Sequence, residues 1–145
     1  MCPSICFSEE PDPKVWTYYS SSVVGRWYYN EKSMTKSNNI VSVWVNLIVE
    51  NDTRKELVDR WKKIDEEWSK KYVYLDRIVS LHEINCVRRK IINREVVFYD
   101  RYGKYIQHYT FDNDEVQWES IGPETMNEAL FDTVCKVDKK QVKDE

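Results

Sequence analysis

The side chains that could do chemistry in this chain are two histidines, four cysteines and several neighbouring acidic residues. His82 and His108 each lie in a stretch that is typical of a β-strand, with no Cys, Asp or Glu at the spacing of a metal site. Glu83 follows His82, but adjacent strand residues point to opposite faces of a sheet. A serine nucleophile would need a Gly-x-Ser-x-Gly elbow or a glycine-rich loop, and the chain has neither. The sequence therefore predicts no metal site, no cofactor and no enzymatic activity.

The cysteines indicate a cellular compartment rather than a reaction. None has the Cys-x-x-Cys spacing of zinc or thioredoxin-type sites. Residues 1–8, MCPSICFS, are similar to the tail of a secretory signal peptide, with Cys6 and Ser8 at the small positions before a cleavage site. The alternative is a frayed terminus, and lipidation of Cys2 or Cys6 is a further alternative that no full lipobox supports.

Without the first two cysteines an even pair remains, Cys86 and Cys135. An exported protein would oxidise this pair to a disulfide, whereas in a cytosolic protein the two would be buried free thiols. The cysteine count alone leaves both alternatives open.

Tyrosines are the best candidates for recognition, because tyrosine offers a large contact area with a polar tip at low entropic cost. The same spacing also fits an ordinary antiparallel sheet, in which cross-strand aromatic pairs stabilise the ladder. The candidate binding residues are Tyr99, Tyr102, Tyr105 and Tyr109.

Composition predicts one folded domain over residues 9–145. Aromatic residues make up 14% of the chain, whereas it has only 3 Gly and 4 Pro, so disorder is not expected. The 22 basic and 25 acidic residues are interspersed and give a net charge of -3, which argues against a nucleic-acid partner. No apolar run approaches the roughly 20 residues of a membrane-spanning helix.

Alternation of apolar and polar residues predicts a sheet of about six strands. In residues 40–50, Val41 and Val45 fall on one face and Trp44 and Ile48 on the other, as expected for a central strand that is covered on both sides. The predicted strands are 15–21, 25–30, 40–50, 76–86, 90–100 and 104–112, with 116–119 extending or following the last of them.

Two helices complete the expected α+β fold, an antiparallel meander with one inserted amphipathic helix and one helix at the C-terminal end. Residues 51–71 begin with Thr53 and Glu56 at capping-box spacing. The second helix is expected from Pro123, at its first position, to residue 135. The apolar stripe of the first helix is Leu57, Trp61, Ile64 and Trp68, and Asp65, Glu66 and Glu67 are expected on its solvated face. Gly103 in DRYG is expected to supply the positive φ of a hairpin turn.

Five stretches together resemble the bacterial surface-adhesin protein E family over most of the chain after residue 15. Asn30, Met34, Asn85 and Thr125 depart from the residues usual in that family, and none of them affects the cysteine pair. The stretches are WYYNEKSMTKSNNIVSVWV (27–45), LHEINC (81–86), VVFYDRYGK (96–104), VQWESIGPET (116–125) and ALFDTVCK (129–136).

The resemblance implies a secreted, periplasmic or outer-membrane-surface protein that binds extracellular or host proteins and does not catalyse a reaction. It also implies a bent antiparallel sheet whose C-terminal helix is tied to it by a disulfide between Cys86 and Cys135. Two alternatives have other functions, a periplasmic carrier of a small apolar ligand on the concave sheet face and an enzyme. A homodimer stays open, because the sequence does not define the oligomeric state.

Export generates the first test. We expect the protein isolated from its native cells to lack residues 1–8 and to begin near Glu9, because cleavage would follow Ser8. N-terminal sequencing or intact mass of protein from the separated envelope and cytosolic fractions measures this. A cytosolic product that still carries Met1 would contradict the expectation and favour two free thiols.

Overall fold

The computed structural model describes residues 10–112 and 117–135. The expected signal remnant at 1–8 lies outside these residues, as does residue 116 of the strand expected at 116–119. The described residues form eight strands and three helices: β1 Thr17–Ser22, β2 Gly25–Tyr29, β3 Thr35–Ser37, β4 Ile40–Val49, α1 Asn51–Ile64, α2 Glu66–Tyr72, β5 Leu75–Asn85, β6 Lys90–Asp100, β7 Tyr105–Thr110, β8 Glu119–Ser120 and α3 Met126–Val134.

All strands pair antiparallel in one sheet, in the order β1-β2-β4-β5-β6-β7, with β3 paired to β4 and β8 paired to β6. The predicted α+β meander is confirmed, although the sheet has eight strands rather than about six. The additional strand β3 has the sequence TKS and every residue of it is exposed, so it has no apolar alternation from which to predict it.

Strand β4 supplies the centre of the core. Its odd-numbered side chains from Val41 to Val49 are all buried and share one face of the sheet. Near Val41 and Val43 this face packs against α3, whereas near Leu47 and Val49 it packs against Trp61 of α1 and its neighbours. The expected division of the strand into two faces is confirmed.

The single helix predicted over 51–71 is wrong, because Asp65 divides it into α1 and α2. The backbone of Asp65 is extended (φ -157°, ψ 107°). Its side chain caps α2 by accepting hydrogen bonds from the N–H groups of Glu67 (3.0 Å) and Trp68 (3.4 Å). The break leaves Ile64, expected in the apolar stripe, 72% exposed. Leu57, Trp61 and Trp68 pack against the core as expected.

The predicted capping box of the first helix is also wrong. Helix α1 begins at Asn51, so Thr53 lies in its first turn and donates its hydroxyl to the carbonyl of Val24 (3.2 Å). The side chain of Glu50, the actual N-cap, makes no capping hydrogen bond. Buried Arg54 instead joins the helix to the sheet, donating to the carbonyl oxygen of Leu75.

A variant of the capping box starts α3, whose first residue, Met126, lies three residues after the predicted first position. Thr125 is the N-cap and accepts a hydrogen bond from the N–H of Glu128 (3.2 Å). The carboxylate of Glu128 accepts from the N–H of Glu124 (3.1 Å) and pairs with Arg89 (2.8 Å), and these contacts hold the pKa of Glu128 below its usual range. Pro123, expected at the first helical position, precedes the helix because the threonine and glutamate side chains set where it begins.

The disulfide between Cys86 and Cys135 is present, and each cysteine lies directly after one of the two elements that the bond joins. Cys86 comes directly after β5 and Cys135 is the C-cap of α3, with their Cα atoms 5.7 Å apart. The bond therefore fixes α3 to the sheet, as expected. In the described residues, no helix is long and apolar enough to cross a bilayer.

The disulfide generates the second test. Replacing Cys135 with Ser should lower the free energy of unfolding of the oxidised protein by about 4 kcal/mol, because the bond closes a long loop in the unfolded chain. The two cysteines are 49 residues apart in sequence. Urea titrations of the oxidised protein and the variant, repeated after reduction, measure the difference. Reduced protein should lose much less on substitution, and equal stability of oxidised wild type and variant would contradict the role of the bond.

Candidate functional site

The turn between β6 and β7 is built around Asp100. Its Oδ1 accepts hydrogen bonds from the N–H groups of Tyr102 (2.9 Å) and Lys104 (3.0 Å). Gly103 has φ of 83°, and, apart from its two chain neighbours, no described residue has an atom within 4 Å of the place that a Cβ would occupy. Backbone conformation rather than space therefore favours glycine here, which confirms the predicted hairpin turn.

Tyr74, which was not among the tyrosines predicted from the sequence, lies beside this turn. The N–H of Arg101 donates to the carbonyl of Tyr74 (2.9 Å), which attaches the α2–β5 connection to the β6–β7 turn. The Tyr74 and Tyr102 rings are 5.9 Å apart between centroids. The Arg101 guanidinium lies 5.1 Å from the first ring and 4.8 Å from the second, and it donates to the Tyr102 hydroxyl (2.6 Å). Cation–π attraction thus favours this arrangement of the two rings.

Three exposed tyrosines form what we call the tyrosine surface: Tyr74, Tyr102 and Tyr105. Their exposed fractions are 43%, 63% and 70%. Predicted Tyr99 lies opposite Tyr105 in the β6–β7 ladder and has the Arg77 guanidinium 5.2 Å from its ring. Tyr99 therefore supports the base of this surface.

Tyr109, the fourth predicted tyrosine, lies on the other face of the sheet. It is paired with Val96, and its ring meets Phe98 edge-on at 6.2 Å. The pairing shifts between Phe98 and Tyr99, where Ile106 is the extra residue on β7. The structure therefore brings Tyr99, Tyr102 and Tyr105 to one end of the sheet and separates Tyr109 from them.

An open cleft of about 460 Å³ lies between α2 and the β6–β7 turn, next to the tyrosine surface. Basic, acidic and aromatic side chains line it together. From α2 come Glu67, Lys70 and Lys71, from the following connection Tyr74, and from the turn and β7 come Asp100, Lys104, Tyr105 and Ile106. This mixture suits polar and charged groups better than an apolar ligand.

A smaller cavity of about 290 Å³ contains His82. The histidine is partly buried, and loss of hydration lowers its pKa to about 4, so the imidazole is neutral at pH 7. The other polar side chains that line the cavity are Asn93, Gln117, Glu119 and Asn127. A neutral imidazole among amides can both donate a hydrogen bond to a small polar molecule and accept one from it.

His108 has a different environment from His82. Its Nε2 lies 2.7 Å from Oε1 of Glu95 on the neighbouring strand, and both side chains are partly exposed. Spacing along the chain missed this partner because the two residues meet across the β6–β7 ladder. In residues 10–112 and 117–135, no group of three or more His, Cys, Asp or Glu could hold a metal ion.

Comparison with known proteins identifies the family. The family model of surface-adhesin protein E matches residues 16–136, so the chain belongs to the surface-adhesin protein E family. No curated protein and no solved structure matches the chain.

Burial of His82 generates a test by pH. Its pKa is about 4 in the folded protein and 6.5 when unperturbed, so between these values the unfolded chain binds more protons. The free energy of unfolding should therefore fall as the pH is lowered from 6.5 to 4, by at most about 3 kcal/mol for this residue. Urea titrations of wild type and His82→Gln across this range measure the effect, with His108→Gln as the control. The decline should be smaller in His82→Gln alone, and the same decline in all three proteins would contradict the assignment.

Proposed function

We propose that this member of the surface-adhesin protein E family is a secreted or cell-envelope protein that binds an extracellular or host protein and catalyses no reaction. The observation that carries the proposal is the tyrosine surface, Tyr74, Tyr102 and Tyr105, presented together at one end of the sheet. Family membership supports a role at the cell surface.

The side-chain contacts within the tyrosine surface support a role in protein binding. Exposed aromatic rings that are already held in place lose little conformational entropy when a partner covers them. Arg101 contacts both Tyr74 and Tyr102, and the Asp100 side chain holds the backbone of the turn. Tyrosine and arginine are also the residue types that contribute most to the binding energy of protein interfaces.

The disulfide supports export. A bond between Cys86 and Cys135 forms and persists in an oxidising compartment, such as the periplasm or the cell exterior. This agrees with the expected loss of residues 1–8, and together the two features favour an envelope or secreted location.

The two alternatives find less support. The larger cleft is open and lined by charged side chains, and the smaller cavity is lined mainly by amides, Glu119 and His82, so neither favours an apolar cargo. For catalysis, the imidazole of His82 is only a weak base because its pKa is lowered to about 4, and none of the described side chains that line its cavity is a Ser, Thr or Cys nucleophile. We therefore propose binding rather than transport or catalysis.

The proposed function is tested by removing two rings of the tyrosine surface. We expect the Tyr102→Ala/Tyr105→Ala variant to bind immobilised extracellular-matrix proteins at least about tenfold more weakly than wild type, because clustered aromatic anchors dominate interface energies. Surface plasmon resonance over a concentration series measures saturable binding. Unfolding curves should be nearly unchanged, since both side chains are largely exposed.

Tyr18→Ala is the matched control, because Tyr18 is 54% exposed on β1, the strand at the opposite end of the sheet order. Its binding should equal that of wild type. The proposal is wrong if no matrix protein binds saturably, or if the control loses as much affinity as the double variant.

A further inference from the structure

We propose that the cleft between α2 and the β6–β7 turn binds an extended acidic segment of the partner protein, which adds as a strand along the outer edge of β7. The inference rests on the proposed function and adds where the partner binds and what its chemistry is. Three features carry it: the unequal pairing of charges in the cleft, the edge of β7 that no described strand pairs with, and the tyrosines beside that edge.

Among the described residues, the carboxylates in the cleft have hydrogen-bond or ion-pair partners, whereas two of the ammonium groups have no carboxylate partner. Glu67 pairs with Lys70 (3.2 Å), and Asp100 accepts the backbone N–H groups of its own turn. Within the part of the chain that the structure describes, Lys71 and Lys104 form no ion pair. Lys71 instead has its Nζ 4.2 Å from the centroid of the Trp68 ring. The cleft therefore offers two cations to a ligand that supplies carboxylates.

Strand β7 provides the backbone groups that an extended peptide would need. Among the described residues it pairs with β6 alone and is the last strand in the sheet order. Its first residues, Tyr105 and Ile106, also line the cleft. An edge strand presents unpaired N–H and C=O groups, and an added strand satisfies them through main-chain hydrogen bonds.

The side chains of a strand added beside β7 would point alternately to the two faces of the sheet. Acidic residues that point into the cleft would meet Lys71 and Lys104 beside Tyr105, which lines the same cleft, while the residues between them would point to the opposite face of the sheet. The fitting segment therefore has acidic residues at alternate positions with β-branched residues between them.

A sulfated polysaccharide fits the cleft less well than an acidic peptide. Glu67 and Asp100 line the cleft among its lysines, so the cleft lacks the continuous basic lining that a densely charged polyanion would need. A polysaccharide also cannot complete the β7 ladder, because it lacks peptide groups.

The test uses synthetic peptides and the full chain with its disulfide intact. The probe is a fluorescent peptide of about eight residues, a usual strand length, in which glutamate alternates with threonine or valine. Two matched control peptides are used. The first has glutamine in place of each glutamate. The second keeps the glutamates but carries an N-methyl group on every second peptide bond. Fluorescence anisotropy should show the glutamate peptide binding at least about tenfold more tightly than either, and less tightly as salt rises.

Lysine variants test whether the peptide binds in the cleft. Lys71→Gln/Lys104→Gln should weaken the glutamate peptide at least about fivefold, whereas Lys62→Gln/Lys63→Gln on α1 should leave it unchanged although it removes the same charge. Both pairs of lysines are exposed, so equal thermal unfolding of the two variants is expected.

The outcomes separate this inference from the proposed function. If matrix proteins still bind through Tyr102 and Tyr105 while the glutamate peptide fails to bind, or binds both lysine variants alike, the inference is overturned and the proposed function stands. Equal binding of the N-methylated peptide overturns the strand addition. If heparin binds and depends on Lys71 and Lys104 while the peptide does not bind, the cleft is a polyanion site and the inference is wrong.

Discussion

The rest of the fold depends on β4, because one face of this strand carries the apolar contacts of both helical layers. Val41, Val43 and Val45 contribute to the core under α3, and Leu47 and Val49 contribute to the core under α1 and α2. Burying each such side chain stabilises the fold by roughly 1.5–3 kcal/mol. Since the two cores share one strand and one face, the helices must lie side by side on the same surface of the sheet.

That arrangement accounts for the position of the tyrosine surface and the cleft. Helix α2 is held over β5, β6 and β7 by Tyr72, which is fully buried, stacks on Trp61 and donates its hydroxyl to Gln107. The cleft is the space left where α2 ends and the β6–β7 turn extends beyond it. Its lysines and tyrosines are therefore positioned by the same packing that completes the core.

Much of the fold followed from the sequence because its signals were local and repeated. Alternation located most strands to within two residues, DRYG located a turn, and the even cysteine pair with the family resemblance located the disulfide. The predictions that were wrong each failed for a local reason. Asp65 interrupts an apolar stripe that continues across it, and the capping by Thr125 decided the start of α3 despite Pro123. Strand β3 has no apolar residue to mark it.

The candidate site was less predictable because it depends on register and tertiary contacts. A one-residue irregularity at Ile106 decides which tyrosines share a face, and no feature of the sequence signals it. Tyr74 joins the site through tertiary contacts, namely the hydrogen bond from the backbone of Arg101 and the packing of its ring against Arg101 and Tyr102. The partners of Lys70 and Asp100, which leave Lys71 and Lys104 for a ligand, are likewise set by the folded geometry.

The interruption at Asp65 also affects how this protein can vary over evolution. In one continuous helix, an inserted residue would rotate everything that follows by about 100°, and the cleft lysines would turn away with it. The extended backbone of Asp65 separates the two helices, and its side chain starts α2 afresh. We therefore expect a change in the length of α1 to rotate α2 less than it would in one continuous helix, because the backbone at Asp65 can absorb part of the rotation.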